Sequence, residues 1–177
     1  FNPSDDGLRL VFGHALVYSF PTALVCGIWW LTLIRLKFLP SPLILTNLKK
    51  SFFISTAAGV ALAGVTLILV PLFMGMKVGF HFNFYSILGN LFSNSWEEII
   101  YRGLLFQVFT FATGTPIAGA IVSSSIFAFT HDQYPLELQV YVGFVGLLFS
   151  AVFWKTKNLV APIWMHNITD WIVDLFL

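Results

Sequence analysis

The chain has 177 residues, 58% of them hydrophobic and only 10% charged, with 20 Phe and a formal net charge of +1. A soluble domain carries about a quarter charged residues, so there is too little polar surface here to cover a water-soluble globule. A soluble enzyme is excluded, as is a nucleic-acid binder, for want of any basic stripe; an integral membrane protein is expected. The one cysteine, Cys26, allows no intramolecular disulfide. The chain starts on Phe1 and not on Met, as a trimmed or processed product would, and no signal peptide is recognisable.

A membrane-spanning helix needs about 20 apolar residues and must satisfy its backbone internally. In chain order, spans are expected at about 10–34, 51–74, 84–112, 115–131, 136–154 and 158–176. Turn or polar signals separate them: "RLKFLPSP", "GMKVGFHFN", "TGTP", "HDQYP" and "KTKN". With no fixed-period repeat and no dividing linker, the fold class predicted is all-α. It is a polytopic bundle of about six spans forming one domain over residues 1–177, with the chemistry-bearing core at about 84–176.

Lys and Arg set the orientation. Arg35, Lys37, Lys49 and Lys50 fall between spans one and two, and Lys155 and Lys157 between spans five and six, all on one side. The other side receives only Arg9 and Lys77, with Asp5, Asp6, Asp132, Glu137 and Asp174. Both termini are therefore expected on the non-cytoplasmic side, and a segment such as 39–50 fits along the cytoplasmic surface.

Six titratable residues fall where they are costly: Glu97, Glu98 and Arg102 in span three, His131 ending span four, and His166 and Asp170 in span six. A charge at a helix centre costs about 2.5–3.5 kcal/mol, against about 0.3–0.6 kcal/mol returned by a Leu or Ile. Glu98 and Arg102, four apart, share a helix face, as do His166 and Asp170. Glu97 points about 100° away from Glu98 and stays free. Counting about 1.5 Å per residue from the cytoplasmic helix ends puts Glu97 and His131 about 22 Å deep, Asp170 about 18 Å and His166 about 12 Å.

Blander roles exist for each piece. Glu98–Arg102 suits a structural ion pair, His131 an interfacial histidine, and His166–Asp170 an interhelical pair worth about 0.6–2 kcal/mol. Glu97, a second carboxylate with no second Arg in the span, tips the set toward chemistry. The remaining polar and small residues read as structural: His14 and His81 as interfacial, "SSS" at 123–125 and Gly59, Ala63 and Gly64 as packing surface, and Trp29, Trp30, Trp154 and Trp164 as interfacial belts. Asn167 fits either role.

Secluded carboxylates act as general bases on water, and imidazoles donate to an oxyanion, which together describe amide hydrolysis without a covalent nucleophile. Motifs of other intramembrane hydrolases, such as His-Glu-x-x-His, are missing. No cofactor is called for. Glu, His, His and Asp are nonetheless all metal ligands, so metal-assisted hydrolysis stays open.

"EEIIYR" (97–102), "FAFTH" (127–131) and "HNITD" (166–170) together resemble the CPBP intramembrane proteases, the Abi or CAAX-protease-like family that includes the type II CAAX prenyl endopeptidases. The resemblance covers residues 97–170. It implies a glutamate-dependent hydrolase in which Glu97 activates water with help from His131. Glu98 supports it, held by Arg102, and His166 stabilises the oxyanion or binds water. Position 170 is Asp where prenyl endopeptidases typically have Asn; an ionised Asp cannot donate, so it is either protonated or orients His166. Six spans are fewer than the eight of prenyl endopeptidases and fit bacterial relatives, which implies a prokaryotic cell (inner) membrane. The substrate implied is a membrane-anchored protein or peptide, with a C-terminal sorting signal or a CAAX-like tail cleaved. Two other classes compete: a non-catalytic partner-binding or bacteriocin-immunity-type protein, and a proton or ion carrier.

Overall fold

The computed structural model describes residues 20–37 and 48–177. Six helical rods run through them, with no strand among the described residues. They are α1 (Phe20–Arg35), α2 (Leu48–Met74), a composite rod, α5 (Pro116–Phe129), α6 (Leu136–Thr156) and α7 (Val160–Asp174). The composite rod joins α3 (Phe84–Glu98), a π-helix (Ile99–Leu105) and α4 (Phe106–Thr113). The all-α bundle is as expected. His14, residues 10–19 of the first span, and most of the 39–50 segment lie outside the described residues.

Local chemistry sets the boundaries. The Asn83 side chain accepts from the Tyr85 and Ser86 amides and starts α3. Gly114, left-handed at φ 71°, ends α4, and Thr115 with Pro116 behind it starts α5. Lys157, also left-handed at φ 53°, ends α6, and Asn158 Oδ1 accepts from the Val160 amide as α7 begins.

α5 is shorter than expected. The Thr130 hydroxyl and His131 Nδ1 both turn back onto the Phe127 carbonyl, at 2.9 and 2.7 Å, while the His131 amide goes to Ala128. The helix therefore stops at Phe129, and its 14 residues rise only about 21 Å, short of an average hydrocarbon core. α2 and α6, with 27 and 21 residues, are long and apolar enough to cross a membrane.

The polarity is turned outside in. α2 points Phe53, Ile68 and Leu72 outward, Phe53 being 76% exposed. Ser55, Asn94, Glu98, Arg102, Ser123, Ser150 and Asn158 are buried. Such a surface is costly in water and suits lipid, where polar groups must find partners inside the protein.

α7 lies at the centre, against α2, α3 and α6. A Cβ on Gly59 of α2 would stand 2.8 Å from the Met165 carbonyl, so this glycine permits the close approach of α2 to α7. Ala63 is buried beside it, whereas Gly64 faces open space and takes no part in packing. Ser123 and Ser124 are buried but Ser125 is exposed. Trp30 corrects the expected belt: it is 8% exposed, in a cluster with Phe106, Phe153 and Leu159. Gly103 makes room for it, since a Cβ there would sit 3.2 Å from the indole.

Candidate active site

Glu98 ends α3 and Arg102 lies one turn on, inside the π-helix. Both side chains are fully buried, with Nη1 3.0 Å from Glu98 Oε1. Arg102 Nη2 donates to the Gly146 carbonyl of α6 at 3.0 Å. Its guanidinium lies 4.7 Å from the Phe127 ring centre and 5.2 Å from that of Phe149. A buried cation is thus held by a carboxylate, a carbonyl and aromatic faces, as the bilayer interior demands.

His166 of α7 joins the pair from the other side. Its Nδ1 is 3.0 Å from Glu98 Oε1, so that oxygen receives both the imidazole and the guanidinium. Because a carboxylate only accepts, Nδ1 carries the proton and donates. Nε2 then faces two further carboxylates: Asp170 Oδ2 at 3.4 Å and Glu97 Oε2 at 4.0 Å. The Phe149 ring lies against the imidazole, 4.5 Å between centres. Glu97 is about a third exposed and makes no hydrogen bond among the described residues.

Depth counted from the helix ends leaves room for these groups to share one cavity, and His166 does meet both glutamates.

His131 lies beyond hydrogen-bond reach of the carboxylates. Its ring packs on Phe127 at 4.6 Å and stacks on Tyr134 at 6.0 Å. With Nδ1 donating to the Phe127 carbonyl, the neutral ring presents Nε2 as a lone pair, and Nε2 makes no hydrogen bond among the described residues. Tyr134, in the 131–135 loop, lies close to the same groups. Burial, and then the carboxylates of Asp170, Glu97 and Asp174, push its hydroxyl above the ordinary range.

Asn94 went unnoticed in the sequence. It is buried, and its Nδ2 donates to Asp170 Oδ2 at 2.9 Å. The available signal was its spacing, one helical turn before Glu98 on the same face. Asn167 points elsewhere, with Nδ2 on the Ile163 carbonyl, and His81 is exposed in its loop. Among the described residues, no three His, Cys, Asp or Glu side chains are grouped so as to hold a metal ion.

Fold and cluster define the class: an integral membrane protein that keeps its titratable groups inside a helical bundle. Residues 79–172, more than half of the chain, match the family described as type II CAAX prenyl endopeptidase Rce1-like, and the chain belongs to that family, within the CPBP proteases. A curated relative, the membrane-embedded CAAX protease MroQ of Staphylococcus aureus (strain USA300), is 33% identical over 105 residues. That alignment takes in 56% of this chain and 40% of the relative, so the chain spans under half of the relative's length. No solved structure matches the chain.

Proposed function

We propose that the chain is a glutamate-dependent intramembrane endopeptidase, a multi-pass protein of a prokaryotic cell (inner) membrane. It hydrolyses a peptide bond in a membrane-anchored protein, at a CAAX-like tail or a C-terminal sorting signal. The observation that carries this reading is the placing of Glu97: about a third exposed and with no hydrogen bond among the described residues, it faces an imidazole whose far nitrogen is fixed on buried Glu98.

In the reaction, Glu97 takes a proton from water as the water oxygen attacks the scissile carbonyl. The tetrahedral oxyanion receives a hydrogen bond from Nε2–H of His166, an imidazole protonated on both nitrogens between Glu98 on one side and Asp170 and Glu97 on the other. Collapse breaks the C–N bond, and the Glu97 carboxylic acid returns its proton to the leaving amine. The Nε2 lone pair of His131 holds the attacking water from the α5 side. Glu98 and Arg102 fix His166, and Asp170 orients its Nε2. One positioned general base supplies about 10²–10⁴ of rate, so Glu97 stands apart from its neighbours.

The test is cleavage by the purified protein in liposomes, wild type against Glu97→Gln, on membrane-anchored peptides ending in CAAX-like or sorting-signal tails, with and without chelator. Product from the wild type alone, insensitive to chelator, is expected. Loss of product with chelator would recast the same residues as metal ligands. Partner capture by both forms, with no product from any substrate, would replace the protease by a binding protein.

A further inference from the structure

The polar residues of α3 extend well beyond the cluster. Ser86, Asn90, Asn94 and Glu98 recur every four residues along α3, and His166, Asp170 and Asp174 do the same along α7. The two stripes face each other in register. The Ser86 hydroxyl donates to Asp174 Oδ2, and Asn90 Nδ2 donates to the same oxygen at 2.8 Å. Asn94 Nδ2 donates to Asp170 at 2.9 Å, and His166 Nδ1 to Glu98 at 3.0 Å. At about 1.5 Å per residue the seam runs about 18 Å from Glu98 to Ser86.

Three features set this seam apart from a dry helix–helix zipper. No Lys or Arg pairs with Asp170 or Asp174 among the described residues, so two carboxylates depend on neutral donors and, for Asp170, His166. Ser86, Asn90, Asp170 and Asp174 are all partly exposed, in a row, while Leu88, Leu91 and Phe92 beside them on α3 are exposed and apolar. At the inner end, Glu98 Oε2 is buried with no donor among the described residues. A carboxylate in that state needs another hydrogen-bond partner, and partly exposed carboxylates inside a bilayer need water. The outer end has a fixed rim, where the Gly79 and His81 amides donate to the Phe176 and Leu175 carbonyls.

We propose that the seam between α3 and α7 is a hydrated path from the membrane face at the C-terminal end of α7 to Glu97 and His166. Its purpose, though not its existence, rests on the protease reading: each peptide bond hydrolysed consumes one water, which has to reach a site enclosed by lipid and helices.

Cysteine labelling tests it directly. In a Cys26→Ser background of the full chain in sealed liposomes, Ser86→Cys, Asn90→Cys and Asn94→Cys are exposed to a membrane-impermeant charged maleimide. Leu88→Cys and Leu91→Cys serve as lipid-facing controls at similar depth, and labelling after SDS denaturation confirms that every thiol is present. Positions 86 and 90 are expected to label at least about tenfold faster than 88 and 91, with 94 slower than 90. Adding Asp174→Leu is expected to slow labelling at position 94 and to lower kcat with KM unchanged. Labelling at 86 and 90 no faster than at 88 and 91 would make the seam a dry zipper and leave the protease reading untouched. Fast labelling with no cleavage by the wild type would keep the path and remove the protease reading.

Discussion

Nδ1 of His166 and Nη1 of Arg102 converge on one atom, Oε1 of Glu98, each at 3.0 Å. That oxygen is the joint between α7 and the composite rod, and it is fully buried. Arg102 adds the Gly146 carbonyl, so a third element, α6, hangs on the same node.

Removing the cation therefore costs stability first. Arg102→Met leaves Glu98 buried with only an imidazole for compensation, and breaking such a pair costs about 3–5 kcal/mol. The melting temperature in detergent is expected to fall well below that of the wild type. Arg102→Lys does not restore it, because an ammonium cannot serve Glu98 and the Gly146 carbonyl through one planar fork. A lysine variant melting with the wild type would show that charge alone suffices.

Glu97→Gln is the opposite case. The side chain is about a third exposed, makes no hydrogen bond among the described residues and stands 4.0 Å from His166 Nε2, so this substitution is expected to change stability by no more than about 0.5 kcal/mol. Cleavage is expected to fall about 10²–10⁴-fold. Equal activity in the two proteins would move the base to another residue.

Asp170 stands between Asn94 and His166. Asp170→Asn keeps a polar group against both, since the Asn94 amide can turn its carbonyl to an incoming donor. Cleavage within about tenfold of wild type is expected, against near-complete loss for Asp170→Leu, which leaves Asn94 Nδ2 buried without its acceptor. Asn94→Asp alone is expected to impair cleavage by setting two carboxylates together, and adding Asp170→Asn to rescue it. Failure of that rescue would reduce the Asn94 contact to packing.

Much of this arrangement is written in four-residue spacings. Glu98 with Arg102 and His166 with Asp170 meet at 3.0 and 3.4 Å, as pairs one turn apart on a helix should. The same spacing carried Ser86, Asn90, Asn94 and Asp174, yet uncharged residues raise no alarm in an apolar run and Asp174 sits near a chain end. Neighbours pointing about 100° apart hide which one faces inward, so Trp29 and Trp30 looked alike until Gly103 revealed the space Trp30 fills. The early end of α5 follows from two side chains competing for one carbonyl, a contest that composition does not record. The π-helix left no trace at all, because its residues are ordinary helix formers apart from Gly103.

That π-helix gives the most demanding prediction. In it the Phe106 amide reaches back five residues to the Tyr101 carbonyl, so the rod after Leu105 is rotated relative to a plain α-helix. Upstream, the stripe ending at Glu98 faces α7; downstream, Gly103 faces Trp30 and Phe106 meets Phe153 edge-on at 5.4 Å. Deleting Ile100 would let the segment relax to α-helix, and because the wide turn holds one residue more than an α-helix would, the two halves outside it would keep nearly their present relative orientation. Glu98 and Arg102 would then stand three residues apart, so the flanking contacts would persist while the ion pair at the centre of the site, with the Gly146 contact of Arg102, would lose its spacing. Loss of cleavage and a lower melting temperature are both expected, while deletion of Met76, in the exposed 75–83 loop, is expected to lower neither to the same degree. A protein lacking Ile100 that melts and cleaves like the wild type would show that the wide turn sets nothing in the site.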